Sequence, residues 1–575
     1  MKSFFKSFFA TLLAMVFVVV VIVAVVASMS SDKPEIKDGS WLVIDLYGGI
    51  TEYSPPSNIM GEIMGGKGET LTRILCNLNK VCVDDRIEGV IFKMSSSNGA
   101  GRAMLEEMRG AIKNVQASGK KVYGYSDSMN RHTYYLASAC DSLFMPPTAY
   151  MNFIGLSVTT EHAKGLLEKL HIKPNLHRIK DYKSAAEMII REDMSKFSRE
   201  NKDWMLEEYW DLYCTALEGD RGFTRKQVTA AMEKALFPIE DAVEWGFVDG
   251  AIYWDELVDM LKGDEEELET VSQSTYAKVE PEELGMGGKK KIAVVHAQGM
   301  IAGRKSKVDP MLGLLMGHES VNAQLRKARK DEDVVAVIFR VNSGGGESLA
   351  SDMMGHEVAI TANEKPVIVS MVDVAASGGY MIAYRATKMI ADEMCVTGSI
   401  GSINMKFNVK GFYEMFGITH DYASKGPNAL MYSPFRDFTE NEREIFEKDH
   451  WKGFNAWLQD VADHRGMTFE EAEKLAHGRV WTGRQGVANG LIDGTGGLDR
   501  AIEMARELAG IEEDEKVSIV HYPLPKSFIE SLMAGGGFSA AAKYVVWRYI
   551  QDDVAETWNM VTNRRMNMMP EMDIR

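Results

Sequence analysis

The sequence predicts an α/β protein made of two tandem copies of one unit, each with a largely parallel sheet, preceded by an N-terminal transmembrane helix. Three observations carry this expectation. The chain repeats itself internally, apolar β-branched runs alternate with amphipathic helical stretches, and a long apolar segment stands near the N-terminus.

The repeat is read from residues 86–149, which begin "RIEGVIFKMSSSNG", and 333–396, which begin "DVVAVIFRVNSGGG". Both give a β-rich run ending in Phe-Lys or Phe-Arg, a Ser/Gly loop and an amphipathic helix. A lysine-led second strand follows, then a turn, another helix and a third short apolar strand. The ends agree as well: "ALFPIEDAVEWGFVDG" (235–250) answers "RVWTGRQGVANGLIDG" (479–494), an offset of about 245 residues. Strand–helix–strand alternation with β-branched strands predicts a parallel sheet covered by helices. The expected division is a first α/β repeat over 40–262, a polar, acidic linker over 263–291, a second repeat over 292–510 and a helical, Met-rich tail over 511–575.

Residues 1–7 carry Lys2 and Lys6, and Phe8 to Ala27 form an apolar run whose single polar residue is Thr11. As a helix this run spans the roughly 30 Å of a bilayer core, and the flanking lysines place residues 1–7 in the cytoplasm and the body across the membrane. A cleaved signal peptide is the rival. Its apolar region is normally about 7–15 residues, shorter than this one, and "AVVAS" fits a cleavage site poorly. A chain of 575 residues exceeds one ordinary core, and its net charge of −17 argues against nucleic acid as a partner. The five cysteines, Cys76, Cys82, Cys140, Cys214 and Cys395, have no metal-binding spacing. They read as free thiols, with a Cys76–Cys82 bridge left open.

The chemistry-bearing stretch is "VSMVDVAASGGYMIA" (369–383), which puts Ser377 at a strand-to-helix turn among small residues. No histidine stands near it in sequence. Upstream, "NSGGGES" (342–348) follows a strand, and its bare backbone can offer N–H groups to a developing oxyanion. Gly378 at the helix start would supply a second donor beside Gly345 or Gly346. A phosphate loop is excluded because the Walker lysine is missing. Aligning Lys120 with Lys365 sets His132 opposite Ser377, so the first copy has no serine there. The first copy instead carries Lys183 in "YKSAAEMIIREDMS" (182–195), facing a lysine-free region around Ala429 in the second. One copy holds a lysine without a serine and the other a serine without a lysine.

Together, "RVNSGGGES", "ASGGYMIA", "TGSIGS" and "YKSAAEMIIREDMS" resemble the long, two-repeat form of the signal peptide peptidase A family. The likeness runs from about residue 40 to about 510 and includes the anchor. Gly344 stands where that family usually has proline. The resemblance implies a Clp/crotonase-like fold in each repeat and a serine endopeptidase with a Ser/Lys dyad. In it Ser377 is the nucleophile, Lys183 the general base and then acid, and Ser399 of "TGSIGS" orients Lys183. It also implies a homo-oligomer, a tetramer, in a bacterial inner membrane with its catalytic body periplasmic, degrading signal-peptide remnants and other hydrophobic peptides. No metal or cofactor is called for.

A lysine can act as base only when neutral, and holding it so at pH 7 opposes about 4–5 kcal/mol of protonation free energy. Burial among the small and apolar neighbours of "KSAAEMII" supplies a shift of that order, provided Glu187 points away. Other constellations fail: "HESVN" and "HEVAI" lack the second histidine of a zinc protease, and no G-x-S-x-G elbow occurs. Two rivals remain. One is a non-catalytic, membrane-tethered scaffold that binds peptides. The other is a crotonase-like acyl-CoA enzyme, whose nucleotide site this acidic chain does not advertise.

Overall fold

The computed structural model describes residues 34–53, 69–96, 99–309 and 312–523, together with the backbone of Met566–Met568. The expected cytoplasmic segment and anchor, 1–7 and 8–27, lie outside the described residues. Among the described residues no helix is long and apolar enough to cross a membrane.

The first repeat supplies β1 (Ser40–Leu46), β2 (Ile87–Met94), β3 (Lys121–Ser126), β4 (Ser142–Met145), β5 (Gly250–Ala251) and β6 (Thr270–Ser272). They lie in the order β6-β1-β2-β3-β4-β5, every neighbouring pair parallel. The second repeat supplies β7 (Lys290–Gln298), β8 (Val334–Ser343), β9 (Val367–Ala376), β10 (Val396–Gly398), β11 (Val480–Thr482) and β12 (Val517–Tyr522), in the order β11-β10-β9-β8-β7-β12. Only β10–β11 is antiparallel on that path, and Lys388–Ala391 branches from β9 to pair with Gly494–Thr495. The central strands are apolar on both faces: Val90, Ile91 and Phe92 are buried, as are Ala336, Val337, Ile338 and Phe339. Runs of this kind are stable only under helices on both sides, which is why the sheets are parallel.

The copies match in detail. Helices Lys196–Arg221 and Glu440–Arg465 each have 26 residues, start on the capping side chains of Ser195 and Thr439, and stop at left-handed Gly222 and Gly466. The Tyr134 hydroxyl donates to the Phe247 carbonyl at 3.0 Å, and the Tyr380 hydroxyl to the Leu491 carbonyl at 2.8 Å. This pairing corrects the sequence alignment. The stretch from Lys365 to Tyr380 holds one more residue than that from Lys120 to Tyr134, so Arg131, not His132, stands opposite Ser377. His132 falls opposite Gly378.

Two further expectations are corrected. Residues 263–291 are not a bare linker: β6 adds an edge to the first sheet, Tyr276 is buried, and Lys80 donates to the carbonyls of Tyr276 and Val279. The segment beginning at 511 is not wholly a helical tail, because β12 pairs with β7 over Lys290↔Val517 to Val295↔Tyr522. Backbone pairing needs few apolar side chains at a sheet edge, so an acidic composition hides such strands.

The repeats share one interior, in which Phe92 and Leu105 of the first cluster with Ile338 and Val372 of the second. Arg340 on β8 is fully buried and donates to Glu52 at 2.7 Å and Glu107 at 2.6 Å, both from the first repeat, and to Ser370 at 2.8 Å. Asp373 on β9 accepts from the Ala103 amide at 3.0 Å, capping helix Arg102–Ala117 of the first repeat. A Cβ at Gly101 would run into that carboxylate, so only glycine fits there. Losing one member of a buried ion pair typically costs about 3–5 kcal/mol, so these contacts hold the halves in one geometry. A mixed sheet also crosses the junction: Lys173–Arg178 of the first repeat pairs antiparallel with Ile403–Asn408 of the second.

Candidate active site

Ser377 directly follows β9 and precedes the short helix Gly378–Met381. Its backbone has φ 59° and ψ −115°, a sparsely populated conformation for a residue with a side chain. The turn is over-determined from both sides. The Ser377 amide donates to the Gly398 carbonyl at 2.8 Å, and the Ser377 carbonyl accepts from the Met381 amide at 2.9 Å.

Lys183 arrives from the other repeat. The ladder between Lys173–Arg178 and Ile403–Asn408, extended by the Ile179 amide on the Ser402 carbonyl at 3.0 Å, carries the chain across the junction. Lys183 is 0% exposed, as is Ser377. Its Nζ lies 2.7 Å from Ser377 Oγ, 2.9 Å from the Ser399 carbonyl and 3.0 Å from Ser399 Oγ. Burial alone drives the Lys183 amine well below the ordinary lysine range, and no carboxylate opposes it. Glu187 is held elsewhere, accepting from Arg178 at 3.0 Å and from the Ser195 amide at 2.9 Å. The three contacts suit an uncharged amine, whose two N–H groups reach the Ser399 carbonyl and hydroxyl while its lone pair faces the Ser377 hydroxyl. An ammonium has no lone pair for that proton.

Ser399, at φ 48° and nearly fully buried, is fixed by its amide donating to the Arg479 carbonyl at 2.7 Å. The glycine loop also comes to the site. A Cβ on Gly378 would lie 3.0 Å from the Gly346 nitrogen, so these two backbone segments touch. The Gly345 amide instead donates to Ser343 Oγ at 3.2 Å, which leaves Gly346 the better placed partner for Gly378. At Gly346, with φ 153°, a side chain would run into the Ile301 carbonyl. Gly344, where a proline was expected by resemblance, has only Val374 near, at 3.8 Å.

In the first repeat the matching place is closed. Arg131 is buried against the Tyr213 ring, its Nε donating to the Ile154 carbonyl at 3.2 Å. His132 pairs with the Ala100 carbonyl at 2.8 Å, and burial, then the neighbouring Arg102, lowers it to about 4. Neither residue reaches Ser377 through any contact described. All five cysteines are free thiols.

Sequence reasoning missed Gly478. A Cβ there would collide with the Lys183 backbone, and its φ of 84° disfavours any side chain. Its amide donates to the Ile400 carbonyl at 2.8 Å, so it seats the lysine backbone against the loop that carries Ser399. The signal was present between the copies: Gly478 stands opposite Lys234, an unexplained exchange of a long side chain for none.

The sequence pattern of peptidase family S49 matches residues 114–268 and 359–512, one stretch in each repeat. The chain belongs to peptidase family S49. It is 32% identical over 511 residues to serine protease SPPA, chloroplastic, of Arabidopsis thaliana, covering 88% of this chain and 74% of that protein. It is 30% identical over 449 residues to protease 4 of Haemophilus influenzae, covering 76% of this chain and 72% of that protein. A solved structure, a mutant of ClpP1 from Listeria monocytogenes, matches 36% of this chain and 94% of its own at 15% identity and a TM-score of 0.24. At that score the likeness carries no argument, and the fold rests on the topology above. The S49 relatives make the chain a serine peptidase.

Two outcomes follow from this geometry. Gly478→Ala should displace Lys183 and lower kcat/KM by about tenfold or more with the circular-dichroism spectrum unchanged, because small misplacements of a catalytic group are costly. Lys183→Met should raise the unfolding temperature at neutral pH. Between its depressed folded value and the ordinary one, the unfolded wild type binds a proton that the folded chain does not, so wild-type stability climbs with pH. The advantage of Lys183→Met should therefore shrink as pH rises toward about 10.4. A Tm gain independent of pH would show that the amine is charged in the fold.

Proposed function

We propose that the chain is a membrane-anchored serine endopeptidase that degrades cleaved signal peptides and other hydrophobic peptides through a Ser/Lys dyad. The observation that carries this reading is the 2.7 Å approach of Lys183 Nζ to Ser377 Oγ inside a buried site with no carboxylate to charge the amine.

The Ser377 hydroxyl gives its proton to the neutral amine of Lys183 as Oγ attacks the scissile carbonyl. The oxyanion so formed lies between the N–H groups of Gly378 and Gly346, fixed donors that need no reorganisation. Ser399 holds the amine by two hydrogen bonds, so its lone pair stays on the nucleophile. Collapse expels the amine half of the peptide, which takes the proton from the Lys183 ammonium. Water then attacks the acyl-enzyme, with Lys183 again accepting the proton, and Ser377 is regenerated.

A substrate that is itself apolar suits a site whose base must stay dry. Beside the glycine loop a cavity of about 690 Å³ combines apolar walls at Leu349, Met381 and Trp457 with the charged side chains of Glu347, Asp352 and Arg385. The anchor over 8–27 would hold the body on the periplasmic side of a bacterial inner membrane, next to the peptides left by signal cleavage. A tetramer enclosing its sites would keep folded proteins out.

A fluorophosphonate probe tests the nucleophile. Labelling of the wild type that vanishes in Ser377→Ala is expected, and a chain that never labels would remove the assignment. The pH profile of kcat/KM tests the base: its acidic limb should fall well below the ordinary lysine range, and a limb only near pH 10 would contradict a neutral Lys183.

A further inference from the structure

A small cavity lies in the first repeat at the place that matches Ser377 and Gly378 in the second. Its volume is about 20 Å³, room for one water-sized occupant and too little for a peptide. Arg102, Arg131 and His132 line it together with the rings of Tyr135, Tyr209 and Tyr213. Each guanidinium lies over a ring, Arg102 over Tyr209 at 4.6 Å and Arg131 over Tyr213 at 5.4 Å. Among the described residues no carboxylate stands in the lining.

Arg131 carries the argument. It is only 6% exposed, and its Nε donates to the Ile154 carbonyl. Among the described residues its two terminal nitrogens meet neither a hydrogen-bond acceptor nor a carboxylate. The fully buried arginines are held differently. Arg109 has Glu106 at 2.9 Å and Asp220 at 2.6 Å, and Arg340 has Glu52 and Glu107. The acids packed near the cavity are committed elsewhere: Glu106 to Arg109 and the Tyr135 hydroxyl, Asp373 to the Ala103 amide, and Asp392 to the Met394 amide at 2.8 Å. Burial also pushes the Asp373 and Asp392 carboxyls up, toward the neutral form. A buried charge without a counter-charge is costly, and the neighbouring Arg102 adds a like charge instead of an opposite one.

We propose that this cavity binds one small monovalent anion, a chloride-sized ion, as the counter-charge of Arg131. The volume sets the class, since one water-sized space admits a halide and excludes phosphate or the carboxylate end of a peptide. The ion lies at the contact between the repeats. Met394 of the second repeat closes the cavity, and its carbonyl accepts from the Tyr209 hydroxyl of the first at 3.1 Å. Binding there favours the docked halves, because an ion held only by the folded chain stabilises it by mass action.

Thermal unfolding of the full chain in sodium chloride and in sodium gluconate at equal ionic strength tests this. Gluconate is too large for the cavity and serves as the blank. Chloride at about a hundred times its dissociation constant should raise the Tm by about 2 °C, and the gain should saturate. Arg131→Met should abolish the difference between the salts with the circular-dichroism spectrum unchanged. Bromide soaked into wild-type crystals gives a readout that needs no variant, with its anomalous peak expected between Arg131 and Arg102. A Tm equal in both salts, a chloride gain that survives in Arg131→Met, or bromide-soaked crystals with no peak in the cavity would each overturn the inference. The endopeptidase reading is independent of these results, since it is tested by fluorophosphonate labelling.

Discussion

On the proposed dyad, the site depends on keeping one amine uncharged. Lys183 is fully buried, with its amine in contact with Ser377 and Ser399. An amine in water at neutral pH is almost wholly protonated, and an ammonium cannot take the proton of Ser377. The enclosure cannot come from one repeat. The lysine belongs to the first, while Ser377, Ser399 and the close-packed Gly478 belong to the second. The buried Arg340–Glu52–Glu107 cluster, the Asp373 cap on Arg102–Ala117 and the antiparallel ladder between Lys173–Arg178 and Ile403–Asn408 are therefore part of the chemistry, though none touches a reacting atom. They set the position of one half against the other, and a small shift there would either separate the dyad or admit water to the amine.

The two copies show how one site can be divided. Their long helices, caps and buried tyrosines correspond, while the residues at the matching places differ. In the first repeat Arg131 stands opposite Ser377 and lies over the Tyr213 ring, and His132, opposite Gly378, is tied to the carbonyl of Ala100. The second repeat has no lysine near Ala429 to serve its own serine. Each half lacks what the other supplies, and the missing group arrives through the junction.

Much of this was legible from residues alone. Parallel sheets followed from apolar runs without alternation. Ser377 stood out from its strand-to-helix turn and Lys183 from comparing the copies, and the structure brings the two within 2.7 Å. What was hidden is instructive. Equating Lys120 with Lys365 misplaced His132 by one residue, because strand register depends on hydrogen bonds that a side-chain pattern does not record. The edge strands at Thr270–Ser272 and Val517–Tyr522 looked like linker and tail, since edge pairing is a backbone matter. Gly478 gave no motif because its role is an absence of atoms. Nothing in "AHGRVW" announces that another chain segment passes within van der Waals reach.

The proposed dyad would also constrain what the chain can usefully cut. A histidine base is supported by a carboxylate and tolerates solvent, whereas a lysine base works only while its surroundings stay dry. A polar or charged peptide would bring its hydration shell to the groove beside Lys183 and favour the ammonium. An apolar peptide would do the reverse, excluding water from the groove with its side chains. Substrate polarity and base strength are then coupled through one variable, the water content of the groove. On that argument the proposed preference for hydrophobic peptides would need no dedicated specificity pocket, because it would follow from how the proposed base is made.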